Sequence, residues 1–268
     1  MKNVPRISLC VSTYNWPEAL ELCLESVLTQ TRMPDEVIIG DDGSGPDTAA
    51  LVKQFQQRFP VPLLHVWQPD EGFQLARIRN RSFAAASGEY IIQADGDLVF
   101  HRDLVKDHLR FARKGCFLSG ARSLLNPADS RELFQTKNIS QAGKYRLEKQ
   151  YNALRNLPAA LLNYYWQQGL SQAKYVLGAN MSFWKTDLVK VNGYDENYSG
   201  WGKEDNDLAI RLCNAGVKLH FLRFAAIIYH LYHKEAPRDK MAENEKLLTR
   251  AMREKRTFVA NGLNQYLK

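Results

Sequence analysis

Residues 89–97 read EYIIQADGD, and this stretch raises the central question of the sequence. Ile91 and Ile92 predict a buried strand, but the strand ends at Asp95 and Asp97, two aspartates separated by one glycine. Two carboxylates are not expected inside a buried strand. In open α/β sheets, ligands bind beyond the carboxyl ends of the strands. We therefore expect both aspartates to lie at a ligand-binding edge of a sheet and not in the core.

Two earlier strand patterns also end in polar residues. RISLCVSTYN is apolar until Thr13 and Tyr14, and DEVIIGDDGS ends at Asp41 and Asp42. Helical patterns separate these strands, which predicts a mostly parallel sheet with flanking helices. Taken alone, Asp41 and Asp42 are better explained by a turn with the Gly-Ser that follows them. Three polar strand ends in succession favour a binding edge.

The composition is that of an ordinary globular protein. The chain has 268 residues, 45% of them hydrophobic, and a net charge of +7, which fits one large α/β domain or two small ones and excludes disorder. No apolar run is long enough to span a bilayer and the N-terminus shows no secretory pattern, so we expect a cytoplasmic protein. None of the four cysteines forms a CxxC pair, and we expect reduced thiols in the core.

Two segments are harder to interpret. Residues 115–175 are polar and weakly periodic, which is typical of a mobile lid with short helices and of a plain insertion. The C-terminal residues 236–268 include a basic, helix-like stretch. Such a helix lies on an anionic membrane or packs its apolar residues on the domain, and the sequence leaves both alternatives open.

The strings ISLCVSTYN, EVIIGDDGS and YIIQADGD, in this order, resemble the family 2 glycosyltransferases, which have a GT-A fold. YSGWGKEDNDLAIRL is similar to the Gly-Trp-Gly-x-Glu-Asp segment of galactosyltransferase-type domains, and the combination resembles chondroitin-polymerase-type transferase modules. The resemblance implies a Rossmann-like central sheet and a single domain over residues 1–268. It also implies a nucleotide-sugar-binding half (1–100), an acceptor-binding and catalytic half (101–235) and a basic C-terminal helix (236–268).

The resemblance assigns donor-binding roles to residues at the strand ends and on the third helix. They are Thr13, Tyr14, Asp41, Asp42, Arg77, Arg79, Asn80, Asp95 and Gly96. Thr13 and Tyr14 would line the nucleotide pocket, and Asp41 or Asp42 would bind the uracil or the ribose. Which of Arg77 and Arg79 meets the donor stays open.

The resemblance also implies a metal site. Asp95 and Asp97 would form a DxD pair that holds a divalent metal on the donor diphosphate. A histidine after the last strand would complete the site, with His233 as the first choice and His230 as the second. A histidine ligand favours Mn²⁺ over Mg²⁺.

The second motif implies the acceptor side. Trp201, with Gly202 beside it, would stack on a sugar of the acceptor, and Glu204 and Asp205 would lie beside the acceptor hydroxyl. Asp205 is the expected general base. Acids in the first turn of a helix also stabilise its dipole, but the GWG that precedes this pair favours a functional role.

These expectations describe an inverting, metal-dependent glycosyltransferase. It would transfer Gal, GalNAc, Glc or GlcNAc from a UDP-sugar to a glycan or lipid-linked acceptor in surface polysaccharide biosynthesis, with peripheral membrane contact as an open alternative. A nucleotidyltransferase acting on sugar phosphates is the competing enzyme class, but STYNWPEAL lacks the glycine-rich phosphate loop that it needs. A nucleic-acid-binding module would suit the positive charge, but no recognition motif supports it, so we expect no nucleic acid.

Overall fold

In the computed structural model, which describes residues 4–145, 154–166, 170–234 and 238–268, strands and helices alternate as the sequence predicts. The first half runs β1 (Ile7–Thr13), α1 (Pro17–Leu28), β2 (Glu36–Asp41), α2 (Pro46–Gln56), β3 (Leu63–Trp67), α3 (Leu75–Ala85), β4 (Tyr90–Asp95), β5 (Leu98–Phe100) and α4 (Leu104–Phe111). The second half runs β6 (Cys116–Gly120), β7 (Ser123–Leu124), α5 (Pro127–Thr136), α6 (Leu157–Trp166), β8 (Asn180–Trp184), α7 (Lys185–Val191), α8 (Glu204–Asn214), β9 (Lys218–Leu222), β10 (Ile228–His230) and α9 (Met241–Arg253). Short 3-10 helices cover Ile139–Lys144, Leu170–Tyr175 and Leu263–Gln265.

A seven-stranded sheet in the order β3-β2-β1-β4-β8-β6-β9 forms the centre of the domain. All its strands point the same way except β8, which runs antiparallel to both β4 and β6. Both faces of the sheet are covered, because Leu9 and Ile39 belong to one apolar cluster and Cys10 and Ile38 to another. A sheet buried on both faces explains why its strands read as nearly continuous apolar runs. The predicted α/β fold with flanking helices is confirmed.

The register of the sheet aligns the polar strand ends. Thr13 pairs with Asp41 across β1 and β2, and Ser12 pairs with Asp95 across β1 and β4. Gly96 packs tightly here: a Cβ on it would lie 3.0 Å from the Ser12 carbonyl oxygen and 3.2 Å from the Thr13 Cβ. The glycine between the two aspartates therefore lets the chain turn closely against β1. The predicted binding edge exists.

A second, three-stranded sheet brings the end of the chain back to this edge. Its order is β5-β10-β7, and His230 of β10 pairs with Leu98 of β5. The Leu231 amide donates a hydrogen bond of 3.0 Å to the Asp97 carbonyl. The residues that follow β10 are thereby placed beside the DGD turn.

Gly88 and Asn15 are residue types that often mark helix ends, but here they serve other purposes. Gly88 does not end α3, because the helix stops at Ala85 and Ala86 is already extended. Gly88 instead allows close packing, since a Cβ there would lie 2.8 Å from the Arg6 carbonyl oxygen. Asn15 does not cap α1, whose first helical residue is Pro17; its side chain accepts a 2.9 Å hydrogen bond from the Gly45 amide.

The two ambiguous segments are folded where the structure describes them. Residues 115–175 contribute β6 to the large sheet, β7 to the small one, and the helices α5 and α6, although residues 146–153 and 167–169 lie outside the described part. In the tail, α9 packs against α8 and buries Leu248 and Ala251. These two apolar residues of the basic helix thus pack on the domain, whereas Met252 is exposed.

All four cysteines are free, as expected. Among the described helices, none combines the length and the apolar character that a membrane span requires.

Buried His108 on α4 yields a prediction about acid stability. Its ring nitrogens lie 2.8 Å from Ser182 Oγ and 2.9 Å from Asn180 Oδ1. Burial lowers the pKa of His108 from 6.5 to about 4. The unfolded chain therefore binds an extra proton between these values, and stability is lost as the pH falls through that window.

We expect this histidine to remove up to about 3 kcal/mol from the free energy of unfolding between pH 7 and 4. Urea unfolding of the wild type and His108→Gln at both pH values measures the difference. An equal loss of stability in both proteins would show that His108 is not responsible.

Candidate active site

A cavity of about 1180 Å³ opens at the edge where the polar strand ends meet. The ends of β1, β2 and β4 line it with Thr13, Tyr14, Asp42, Asp95, Gly96 and Asp97. The second half of the chain contributes Trp201, His230 and His233. The cavity therefore joins residues from both predicted halves of the domain, and it is large enough for a nucleotide-sugar.

Asp97 forms a cluster with both candidate histidines. Its Oδ2 lies 3.1 Å from His233 Nε2 and 3.3 Å from His230 Nε2. One ligand atom from each residue fits within 4.8 Å of the others. Among the described residues, no group bonds to Asp97 Oδ1, although this atom is buried. A carboxylate and two imidazoles with an unpartnered oxygen have the chemistry of a divalent metal site.

The two histidines lower the pKa of Asp97. Burial acts to raise the pKa of Asp97, but hydrogen bonds from His230 and His233 outweigh it and hold that pKa well below the usual range. The hydrogen bond to Asp97 in turn raises the pKa of His233.

Arg79 links the DxD pair to the Glu-Asp pair. Its buried guanidinium donates from Nη2 to Asp95 Oδ1 at 2.9 Å and from Nη1 to Asp205 Oδ1 at 2.7 Å. Glu204 Oε1 lies 3.7 Å from the same Nη1. Burial raises the pKa of Asp95, and the charge of Arg79 opposes that rise.

Glu204 and Asp205 occupy different environments in the first turn of α8. Asp205 Oδ1 lies 2.7 Å from the Tyr194 hydroxyl in addition to its contact with Arg79. Glu204 is buried, and burial together with the charge of Asp205 raises its pKa to about 8. Glu204 Oε2 finds no partner in the described part of the chain. Glu204 therefore keeps its proton near neutral pH.

The far end of the cavity carries an aromatic ring and a buried acid. The Tyr14 ring is half exposed, and its hydroxyl donates to Asp70 Oδ2 at 3.0 Å. Asp42 accepts hydrogen bonds from Gln68 Nε2 at 2.6 Å and from the Gln74 amide at 2.9 Å. Burial raises the pKa of Asp42 to about 6.

Four predicted donor-binding residues, Asp41, Arg77, Arg79 and Asn80, do not line this cavity. Asp41 is buried, with its carboxylate 2.9 Å from His65 Nε2. Asn80 donates to the Tyr194 carbonyl inside the domain. Arg77 pairs with Glu71 at the surface, at 2.6 Å. Of the two candidate arginines, the structure brings Arg79 to the aspartates.

Of the two predicted acceptor-binding residues, Trp201 lines the cavity with 39% of its surface exposed, and the Arg238 guanidinium lies 4.9 Å from its ring. Gly202 is not in the lining. It has a φ of +105°, and its carbonyl accepts a 2.9 Å hydrogen bond from Asn244.

The sequence analysis missed several residues of the site. The cavity is also lined by Ser12, Trp16, Phe73, Arg122, Lys234 and Arg238. Gln93 and Tyr194 lie behind Asp205. Gln93 could have been identified from the sequence, because it is a polar residue inside the apolar run of β4. The hydroxyl of Tyr194 could not have been identified from the sequence, since any aromatic residue fits its core position.

Two family models match the chain. The model described as glycosyl transferase family 2 matches residues 8–165, and the model described as N-terminal domain of galactosyltransferase matches residues 163–234. The chondroitin synthase of Escherichia coli is 24% identical over 258 residues, which cover 86% of this chain and 35% of that protein. The chain thus spans about a third of the length of this relative.

Solved structures show the same fold. The mannosyltransferase PcManGT of Pyrobaculum calidifontis, in complex with GDP-Man and Mn²⁺, gives a TM-score of 0.61 at 17% identity over 99% of this chain and 74% of that one. S. aureus TarS 1–349 in complex with UDP gives 0.65 at 16% identity over 93% of this chain and 68% of that one. Because the first family model covers more than half of the sequence, the chain belongs to glycosyl transferase family 2, and it is a glycosyltransferase with a GT-A fold.

Proposed function

We propose that this chain is an inverting, metal-dependent glycosyltransferase whose donor is a UDP-sugar. The observation that carries the proposal is the cluster of Asp97, His230 and His233 in the same cavity as Tyr14 and Asp42. PcManGT, which has a similar fold, was solved with Mn²⁺ and a nucleotide-sugar, and TarS with UDP. In this proposal the Tyr14 ring and the Asp42 carboxylate bind the uridine.

Asp97, His230 and His233 would hold the metal. The buried, unpartnered Oδ1 of Asp97 supports this assignment. When bound, a divalent cation stabilises the negative charge that the departing diphosphate accumulates. Two imidazole ligands favour Mn²⁺ over Mg²⁺, which prefers oxygen ligands. Asp95 would face the metal or the donor through Oδ2, because Arg79 binds its Oδ1.

Asp205 would act as the general base. Arg79 and Tyr194 both bind Oδ1 of Asp205, which leaves Oδ2 to take the proton of the acceptor hydroxyl. Glu204 suits this role less, because a carboxyl group with a pKa of about 8 keeps its proton at neutral pH. One base and direct displacement of the diphosphate invert the anomeric carbon.

The acceptor would be a glycan or a lipid-linked sugar of a surface polysaccharide, with one sugar stacked on Trp201. The sugar donated would be Gal, GalNAc, Glc or GlcNAc. In this proposal residues 1–100 bind the donor, residues 101–235 bind the acceptor and carry the base, and the protein works in the cytoplasm. Neither a nucleotidyltransferase nor a nucleic-acid-binding module finds support in the relatives or in the fold.

The first test of the proposal is the dependence of nucleotide binding on metal. Calorimetric titration of UDP, GDP and CMP, each with and without Mn²⁺, should show tight binding of UDP in the presence of the metal. Asp97→Ala removes a ligand of the metal and should weaken this binding by at least about 100-fold.

Asp47→Ala is the matched control, because Asp47 is exposed on α2, and it should bind UDP like the wild type. Equal binding of GDP would refute the donor class. Binding that ignores both Mn²⁺ and the Asp97 variant would refute the metal site.

A second prediction concerns the base. Asp205→Asn keeps the size and the hydrogen-bonding positions of the side chain but cannot take a proton, so kcat should fall by about 10²–10⁴-fold. The affinity for UDP and Mn²⁺ should change by less than about threefold, because Asp205 does not hold the nucleotide. Asp47→Asn, an acid in the first turn of another helix, should keep full activity. A normal kcat for Asp205→Asn would exclude Asp205 as the base.

We also propose a peripheral contact between α9 and an anionic membrane. Because α9 buries Leu248 and Ala251 against the domain, its exposed residues would make such a contact, among them Lys246, Arg250 and Arg253. Each basic residue near an anionic surface contributes about 1 kcal/mol.

The triple change of Lys246, Arg250 and Arg253 to Glu should abolish co-sedimentation with vesicles that contain phosphatidylglycerol. The same triple change at Lys53, Lys106 and Arg110, which are exposed on α2 and α4, alters the net charge equally and should have a much smaller effect. Wild-type protein that fails to bind these vesicles, or equal losses in both triple variants, would refute the contact.

A further inference from the structure

Tyr194 places a hydroxyl behind the proposed base. The side chain is fully buried, its ring stacks on Phe83 with centroids 6.0 Å apart, and the Arg79 guanidinium lies 5.3 Å from the ring. A phenylalanine would fill the same space, so packing does not explain the hydroxyl. A buried hydroxyl without a partner is costly, and this one has two partners.

Both partners can accept the one hydrogen bond that the Tyr194 hydroxyl donates. The Tyr194 hydroxyl lies 2.7 Å from Asp205 Oδ1 and 2.9 Å from Gln93 Oε1, and both oxygens are acceptors. The Gln93 amide is oriented by its Nε2, which donates to the Gly178 carbonyl at 2.6 Å. Burial raises the pKa of Tyr194 well above its usual value, so the phenol keeps its proton and acts as a donor. A charged carboxylate is the stronger acceptor of the two.

A backbone contact closes another side of Asp205. A Cβ on Gly178 would collide with the Asp205 carboxylate, so the glycine is what gives this carboxylate its room. Gln93, the second acceptor of the Tyr194 hydroxyl, donates to the carbonyl of the same glycine. Gly178 therefore contacts Asp205 and also orients Gln93. Arg79 and Tyr194 thus hold Oδ1 of Asp205, and Gly178 lies against its Oδ2.

We infer that Tyr194 is a positioning residue for Asp205. Its hydroxyl holds Oδ1 while the carboxylate is charged and so directs Oδ2 toward the acceptor. Once Asp205 has taken the acceptor proton, its demand for a hydrogen bond falls, and the hydroxyl turns to Gln93 Oε1. The inference rests on the proposed function, in which Asp205 is the base.

Tyr194→Phe removes the hydroxyl and leaves the ring. The control is Tyr90→Phe, which removes a fully buried hydroxyl 2.7 Å from Ser182 Oγ, a contact that involves no residue of the site. UDP release with Mn²⁺, with water as the acceptor, is measured from UDP-galactose, UDP-N-acetylgalactosamine, UDP-glucose and UDP-N-acetylglucosamine. We expect kcat to fall about tenfold or more for Tyr194→Phe alone, with the donor KM and the UDP affinity within twofold of the wild type.

Two further variants separate positioning from a general structural role. Tyr194→Phe combined with Asp205→Asn should be no slower than Asp205→Asn alone, because a residue that acts through Asp205 has no effect once the base is gone. Gly178→Ala pushes on the same carboxylate from another side and should also lower kcat with UDP binding preserved. Calorimetry with UDP and Mn²⁺ confirms that each variant is folded.

The possible results separate this inference from the proposed function. If Asp205→Asn stops release but Tyr194→Phe behaves like Tyr90→Phe, the inference is wrong and the proposed function stands. If Tyr194→Phe slows the Asp205→Asn protein further, Tyr194 acts elsewhere and the inference is also wrong. If the wild type releases UDP from none of the four sugars, or Asp205→Asn is as fast as the wild type, the proposed function fails and the inference falls with it.

Discussion

The buried guanidinium of Arg79 is the interaction on which the site depends. A charge removed from water is tolerated only where opposite charges and hydrogen bonds compensate for it, and here Asp95 and Asp205 do so, with Glu204 close by. These residues come from α3, β4 and α8, so one ion cluster fixes three elements of the domain relative to one another. The same cluster connects the strand end that carries the DxD pair to the helix that carries the proposed base. Loss of Arg79 would leave the partly buried Asp95 and Asp205 without their shared counter-charge, which is more costly than the loss of a surface ion pair.

The sequence predicts those parts of the fold and of the site that are encoded locally. A strand that ends in acids can be recognised from a few residues, and the parallel arrangement that aligns three such ends follows from the alternation of strands and helices. Even the choice between the two arginines had a local signal. Ala76, Arg79, Asn80 and Phe83 form the buried stripe of α3 at helical spacing, so Arg79 occupies a core position, whereas Arg77 is on another face. An arginine on the apolar stripe of a helix predicts that carboxylates from other segments pair with it.

The remaining features depend on contacts between distant segments. Sequence alone could not choose between His230 and His233, and the structure explains why: β10 pairs with β5, and both side chains reach Asp97. Asp42 and Asp41 are neighbours in sequence, yet one lines the cavity and the other bonds to His65 inside the domain. The packing of Gly178 and Tyr194 around Asp205 likewise joins segments that no local pattern relates. The side-chain direction at each of these positions is decided by tertiary packing.

The adjacent carboxylates of α8 illustrate how environment divides roles between like groups. Two acids that share a guanidinium repel each other, and the one with less access to water and fewer hydrogen bonds takes the proton. Glu204 is that residue, with a raised pKa and an unpartnered Oε2, whereas Asp205 accepts from both Arg79 and Tyr194. A proton held on Glu204 removes one negative charge from the surroundings of the Arg79 guanidinium, which keeps its hydrogen bonds to Asp95 and Asp205. In the proposed mechanism Glu204 therefore contributes by staying neutral, while Asp205, held by Arg79 and Tyr194, acts as the base.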